Sequence, residues 1–342
     1  MLVAKSSRAL SHLIHSSFRK SFLRSVQTRN ISSTNRIMAS PPTESKNQTN
    51  HSIFIYGTAW KKSRTKDLVL QALTAGFRRI DTAAQPKHYQ EDLVGEALRD
   101  AYAKGIVKRE DLYIQTKYTT PAGQDLTNLP YDPSSPLPSQ LHTSITSSLH
   151  NLRPLESESS SNETYIDTLL LHSPLPTIPQ TLQAWEILSS YVPHKIRALG
   201  ISNTTLPVLQ AIYENATVKP AVVQNRFYAA TAYDVSLRAF CSANQIEYQS
   251  FWTLSGNNHL LKSAVVARLA NEADVGIAVA LYALVMDLGI VVLNGTTDER
   301  HMREDLEGVG KVKAWAGRNE GEWGRCREEF ERWLVRSARD AR

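Results

Sequence analysis

The sequence predicts an α/β fold, a closed (β/α)8 TIM barrel with a C-terminal helical extension. Two observations carry this. From His51 to about residue 310, short apolar runs alternate with segments of helical spacing, the pattern of repeated βα units. The apolar runs number eight, the count that closes a barrel.

The predicted strands are Ile53 to Tyr56, Arg78 to Asp81, Leu112 to Thr116, Thr168 to Leu171, Ala198 to Ile201, Ala221 to Gln224, Glu247 to Phe251 and Ile290 to Leu293. Between them, Asp67 to Ala75, Leu93 to Lys104, Leu141 to Leu152, Gln180 to Ser190, Leu206 to Tyr213, Val235 to Ala243 and Ile277 to Met286 have helical spacing. Two stretches break the rhythm. The Pro-rich Thr119 to Pro138 follows a strand, so it belongs to the active face and is expected to shape a substrate pocket. Glu156 to Glu163, rich in Ser and Glu, precedes a strand and reads as a solvated insertion on the opposite face. In the tail from Gly317, Trp323, Phe330, Trp333 and Leu334 share a helical face that should pack on the barrel. Arg336, Arg339 and Arg342 then read as a charged helix terminus.

Charge separates the ends of the chain. Lys5, Arg8, Arg19, Lys20, Arg24, Arg29 and Arg36 precede residue 39, where no acid occurs; removing those seven from 39 basic residues leaves 32 against 33 acidic. The excess positive charge is therefore confined to the first segment and gives the body no reason to bind nucleic acid. Residues 1–38, rich in Ser and Arg with an apolar helical face, read as a mitochondrial transit peptide; a start at Met38 would instead leave the protein cytoplasmic. Residues 39–51 are a linker, 52–310 the barrel and 311–342 the helical tail. No stretch is long and apolar enough to span a membrane. With only Cys241 and Cys326, a disulfide framework is not expected and both thiols read as inert.

Polar residues that a barrel core would reject stand at the strand ends: Asp81, Lys117, His172, Ser202 with Asn203, and Gln224. Such ends converge on one mouth, where barrel enzymes keep their sites. The sequence also resembles the aldo-keto reductase family, through Gly57-Thr58-Ala59, Gly76 to Thr82, Tyr89, Val94 to Arg99, Thr116-Lys117, Leu171 to Pro174 and Gly200 to Asn203, in the family's order. The likeness covers roughly residues 52 to 310. It implies reduction of a small carbonyl compound by NADPH, with NADH also possible, at Asp81, Tyr89, Lys117 and His172. Tyr89 would give the proton, Lys117 would make its phenol more acidic, Asp81 would anchor Lys117, and a neutral His172 would orient the carbonyl. The segment between Asp81 and Val94 is about two residues longer than the common pattern, which makes His88 the alternative to Tyr89 in register.

The resemblance assigns Ser202, Asn203 and Gln224 to the nicotinamide carboxamide and Phe251 to stacking on its ring, with Trp252 beside it. After the eighth strand Asn294 stands in place of a lysine that grips the 2′-phosphate and is kept as a cofactor-binding candidate, while Arg300 survives to fork that phosphate, helped by Gly295, Thr296 and Thr297. Neither a glycine-rich Rossmann fingerprint nor metal-ligand spacing occurs, so no metal is expected. Trp60, Phe251, Trp252, the Thr119 to Pro138 loop and the C-terminal tail are expected to set specificity, and a monomer or weak dimer is implied. Two other readings fit the same residues: a Schiff-base aldolase with Lys117 as nucleophile, and a non-catalytic NADP(H)-binding auxiliary subunit.

Overall fold

The computed structural model describes residues 54–157 and 163–340. The basic segment 1–38, the linker 39–51 and most of the Glu156 to Glu163 insertion lie outside them.

All eight expected strands form: β1 Phe54–Gly57, β2 Arg79–Asp81, β3 Tyr113–Tyr118, β4 Ile166–Leu171, β5 Ile196–Ser202, β6 Val222–Arg226, β7 Glu247–Phe251 and β8 Val291–Asn294. Each pairs in parallel with its sequence neighbour, and β8 returns to β1 to close the barrel. The seven expected helices are α1 Thr65–Ala75, α2 Glu91–Ala103, α3 Leu137–Asn151, α4 Ile178–Ser189, α5 Leu206–Asn215, α6 Val235–Ala243 and, after two shorter ones, α9 Ile277–Asp287. Those shorter helices, α7 Asn258–Leu261 and α8 Ala264–Glu272, and α10 Glu299–Arg318 were not anticipated. α10 is mostly charged, so its apolar stripe is thin, and it runs without a break past residue 310.

Local chemistry sets the boundaries. α1 stops where Gly76 takes a φ of 118°, a conformation open to glycine. Asp298 caps α10 by accepting from the Arg300 and His301 amides at 2.8 and 3.1 Å. In β5 a side chain at Gly200 would place its Cβ 2.4 Å from a Leu170 methyl, so glycine there lets Leu170 fill the barrel.

The apolar core lies mainly between sheet and helices, with Leu68, Leu73, Val94, Leu98, Ile145, Trp185, Leu188, Ile212, Leu281 and Val285 all buried. α11 Glu320–Asp340 is the expected tail helix, with Phe330 and Leu334 buried and Trp323 and Trp333 partly so. Cys241 and Cys326 are free and buried, and burial pushes the Cys241 thiol up to about 12.

Candidate active site

A trench of about 1430 Å³ crosses the C-terminal mouth of the barrel, running from Trp60, His88, Tyr89 and His172 to Thr297, His301 and Lys311. At one end β2 and β3 bring Asp81 and Lys117 together, with Lys117 Nζ 2.6 Å from Asp81 Oδ2 and 2.8 Å from the Thr82 carbonyl oxygen. Both side chains are almost wholly buried. Burial works against the Lys117 charge, but Asp81 and Tyr89 outweigh it, so its pKa is raised and the ammonium persists.

Tyr89 lies with its ring 4.9 Å below that ammonium and edge-on to His172, the centroids 6.1 Å apart. Its acidity is a contest. Burial raises the phenol's pKa, Lys117 lowers it and Asp81 raises it again, and the net direction is upward. The expected pull of Lys117 is present, but desolvation exceeds it. His172 follows β4; its Nδ1 shares a hydrogen with Thr119 Oγ1 at 2.6 Å. Burial first, then the Lys117 and His88 charges, depress it to about 3, so the imidazole is neutral.

The segment between Asp81 and Val94 is fixed from its far end. Glu91, at the start of α2, is buried and accepts from the Thr116 hydroxyl, Ser148 at 3.0 Å and Asn151 at 3.2 Å. That anchor holds the segment before it, and the extra residues are taken up as a turn in which the His88 and Tyr89 amides both reach the Gln85 carbonyl. Tyr89 then faces Lys117, while the His88 ring lies 3.8 Å from that of Trp60 at the trench wall.

Further along, Ser202, Asn203, Gln224 and Phe251 all line the trench. Asn203 has a φ of 51°, which asparagine tolerates, and its amide nitrogen donates to the His172 carbonyl at 3.0 Å. Gln224 donates both amide protons inward, to Asp81 Oδ1 at 2.9 Å and Gln249 Oε1 at 3.0 Å, so its oxygen is the atom left for a ligand. Phe251 and the half-exposed Trp252 offer ring faces.

The far end differs from expectation at Asn294. Its side chain turns inward, Nδ2 donating to Asp305 Oδ2 at 2.7 Å and Oδ1 accepting from the Thr296 amide at 3.0 Å, so it is buried and does not line the trench. Arg300 is largely exposed beside Glu304. Lys61, unnoticed in the sequence, bonds the Gly295 and Thr296 carbonyls, and burial lowers its pKa to about 8. Burial likewise raises the Asp305 carboxyl to about 6.

Two specificity expectations change. No residue beyond Lys311 lines the trench, because α11 packs on the flank formed by α8 and the turn 229–234. Of the Thr119 to Pro138 loop only Gly123 lines it; the loop otherwise braces the site through Thr119 on His172 and Gln124 on the Ala84 carbonyl. No cluster of three metal-ligating side chains occurs among the described residues.

Known proteins resemble this chain in sequence and in fold. The chain is 27% identical over 242 residues to an uncharacterized oxidoreductase of Schizosaccharomyces pombe, covering 70% of this chain and 76% of that one. It is 26% identical over 268 residues to the NADPH-dependent codeinone reductase 1-2 of Papaver somniferum, covering 71% and 75%. The fold matches that of a Bombyx mori aldo-keto reductase in complex with NADP, with a TM-score of 0.60 at 21% identity over 77% of this chain and 88% of that one. The model of the Aldo/keto reductase family spans residues 52–311, the whole barrel, and by that match the chain belongs to this family of oxidoreductases.

Proposed function

We propose that the protein reduces an aldehyde or ketone to an alcohol with NADPH, Tyr89 giving the proton. The observation that carries this reading is the convergence of Asp81, Lys117, Tyr89 and His172 at one end of a trench of about 1430 Å³. The fit to a nicotinamide cofactor rests on donor chemistry. The Gln224 oxygen matches a carboxamide N–H, the Phe251 face matches a planar ring, and the Thr296 to Arg300 segment offers hydroxyls and a guanidinium to phosphate. When bound, the cofactor supplies hydride.

The side chains manage the proton. As negative charge develops on the carbonyl oxygen, the Tyr89 hydroxyl transfers its proton to it. Lys117 stabilises the phenolate left behind, and Asp81 keeps Lys117 charged and in place. Neutral His172, fixed through Nδ1 by Thr119, offers Nε2 to orient the carbonyl. Trp60, Phe251 and Trp252 give the substrate end an aromatic lining suited to a small or medium carbonyl compound.

A Schiff-base role for Lys117 is disfavoured, because a buried ammonium paired with Asp81 at 2.6 Å is not a free amine. The deciding assay follows NADPH consumption against a panel of aldehydes and ketones. Turnover should fall about 10²- to 10⁴-fold in Tyr89→Phe, the usual worth of a general acid, and stay within about threefold in His88→Ala. Binding of NADPH with no turnover across the panel would move the auxiliary-subunit reading to first place. On its composition we place the chain in mitochondria through residues 1–38; fractionation of cells expressing tagged protein, with and without those residues, tests this.

A further inference from the structure

The inward faces of β3, β6 and β7 carry amides, and that of β2 a carboxylate, where branched aliphatic residues usually fill a barrel. Gln115 stands opposite Asp81 in the β2–β3 register and Gln224 opposite Gln249 between β6 and β7, and all three glutamines are buried. Asp81 Oδ1 accepts from Gln115 Nε2 at 2.7 Å and Gln224 Nε2 at 2.9 Å, leaving Oδ2 to Lys117. The same two amide groups donate to Gln249 Oε1 at 2.9 and 3.0 Å. Gln249 Nε2 returns a bond to Gln115 Oε1 at 2.9 Å and gives another to Glu247 Oε1 at 2.8 Å. Glu247 pairs with Arg79 at 2.5 Å, and the Tyr113 hydroxyl donates to Gln115 Oε1 at 3.0 Å.

A continuous hydrogen-bonded column therefore joins Asp81 to an ion pair at the other end of the barrel. The amide orientations are mutually fixed. Turning Gln115 over would set its oxygen against Asp81 Oδ1 and its nitrogen against the Gln249 nitrogen.

We propose that Gln115 and Gln249 are positioning residues for the proton donor, holding and partly neutralising Asp81 Oδ1 so that less of its negative field reaches Tyr89. The inference rests on the reading of Tyr89 as the acid. Two N–H donors on one oxygen spread the carboxylate's charge, and that charge opposes ionisation of the Tyr89 phenol, which shares Lys117 with it as a neighbour. Without Gln115, only Gln224 donates to Asp81 Oδ1, more of the carboxylate's charge acts on Lys117 and Tyr89, and the phenol holds its proton more tightly.

The test replaces Tyr89 in the full-length protein by 3-nitrotyrosine, whose phenolate absorbs in the visible, apart from the other tyrosines. In that background Gln115→Met should raise the titration midpoint by about half a unit or more, since it removes a hydrogen bond to a charged group. Gln249→Met, which leaves both donors on Asp81 but loosens their orientation, should give a smaller rise. Gln140→Met is the control: it removes a buried amide bonded to the Pro133 and Ser135 carbonyls, away from Asp81, and should leave the midpoint unmoved. An unchanged midpoint in Gln115→Met, or an equal shift in Gln140→Met, overturns the proposal. If Gln115→Met does not fold, Gln249→Met against the same control decides. The titration needs no turnover, so a failed reductase assay would sink the functional reading and leave this result standing.

Discussion

At the catalytic end of the trench Asp81 accepts three side-chain hydrogen bonds, Lys117 makes two and His172 is held by Thr119, whereas at the far end Arg300 is largely exposed and Asn294 faces away. The difference reflects what each end must withstand. A buried ion pair and a buried phenol survive only if every partner is supplied, because an unpaired polar group there costs several kcal/mol. A phosphate site at a helix start can stay wet, using flexible side chains and backbone donors. Preorganisation is thus concentrated where the proposed reading has a proton move, and tolerance where it would lay the cofactor's tail.

The largest effect that would break this comparison is at the buried pair. Asp81→Asn leaves the Lys117 ammonium uncompensated, with an expected loss of about 3–5 kcal/mol of stability in denaturant unfolding. The double variant Asp81→Asn with Lys117→Met should lose less than the two single variants together, since neither charge is then stranded. Simple additivity would mean that the pair is not the coupled unit its 2.6 Å contact indicates.

How much of this was visible in the sequence divides along the same line. Asp81, Lys117 and His172 stood out because a charged or polar residue at or directly after the end of an apolar strand violates its surroundings, whereas Tyr89, in a loop, was found only through the family resemblance. The eight strands were legible for the same reason, as apolar runs between helical segments. Gln115 and Gln249 escaped because a polar residue within a short strand reads as solvent-facing until the barrel's closure shows which face is inside. The inward turn of Asn294 was hidden because its partner, Asp305, lies on a helix whose charged sequence gave little amphipathic signal. The position of α11 was half read: its buried face was legible, but not which flank of the barrel would receive it.

A smaller effect, spread over pH, comes from His172. Its folded pKa of about 3 lies below the ordinary value of 6.5, so the unfolded chain binds the proton more readily between those values. The stability it contributes is therefore complete above about pH 6.5 and is lost as pH falls towards 3, at no more than about 1.4 kcal/mol per unit. Replacing it by asparagine removes the titrating group, so between pH 6.5 and 4 the parent should lose stability faster than His172→Asn. Parallel curves would show that this imidazole is not held neutral by its surroundings.

The smallest effect is expected at the far end, where it sharpens the contrast. Arg300 is the exposed cation that the cofactor reading assigns to the 2′-phosphate, and its side chain is 70% exposed with Glu304 competing for it at 3.7 Å. A charge-assisted bond to phosphate is worth about 1.5–3 kcal/mol when well formed, but solvent screening and the competing carboxylate should cut this to about 1 kcal/mol, or roughly fivefold in Kd. Arg300→Gln should weaken NADPH by that factor in a fluorescence titration and leave NADH unchanged, with the loss shrinking as salt is added. A hundredfold loss would mean that Arg300 becomes desolvated on binding, and the far end would then be as tightly built as the catalytic one. No loss at all would move the phosphate to Lys61, whose carbonyl partners Gly295 and Thr296 already hold it at the same loop.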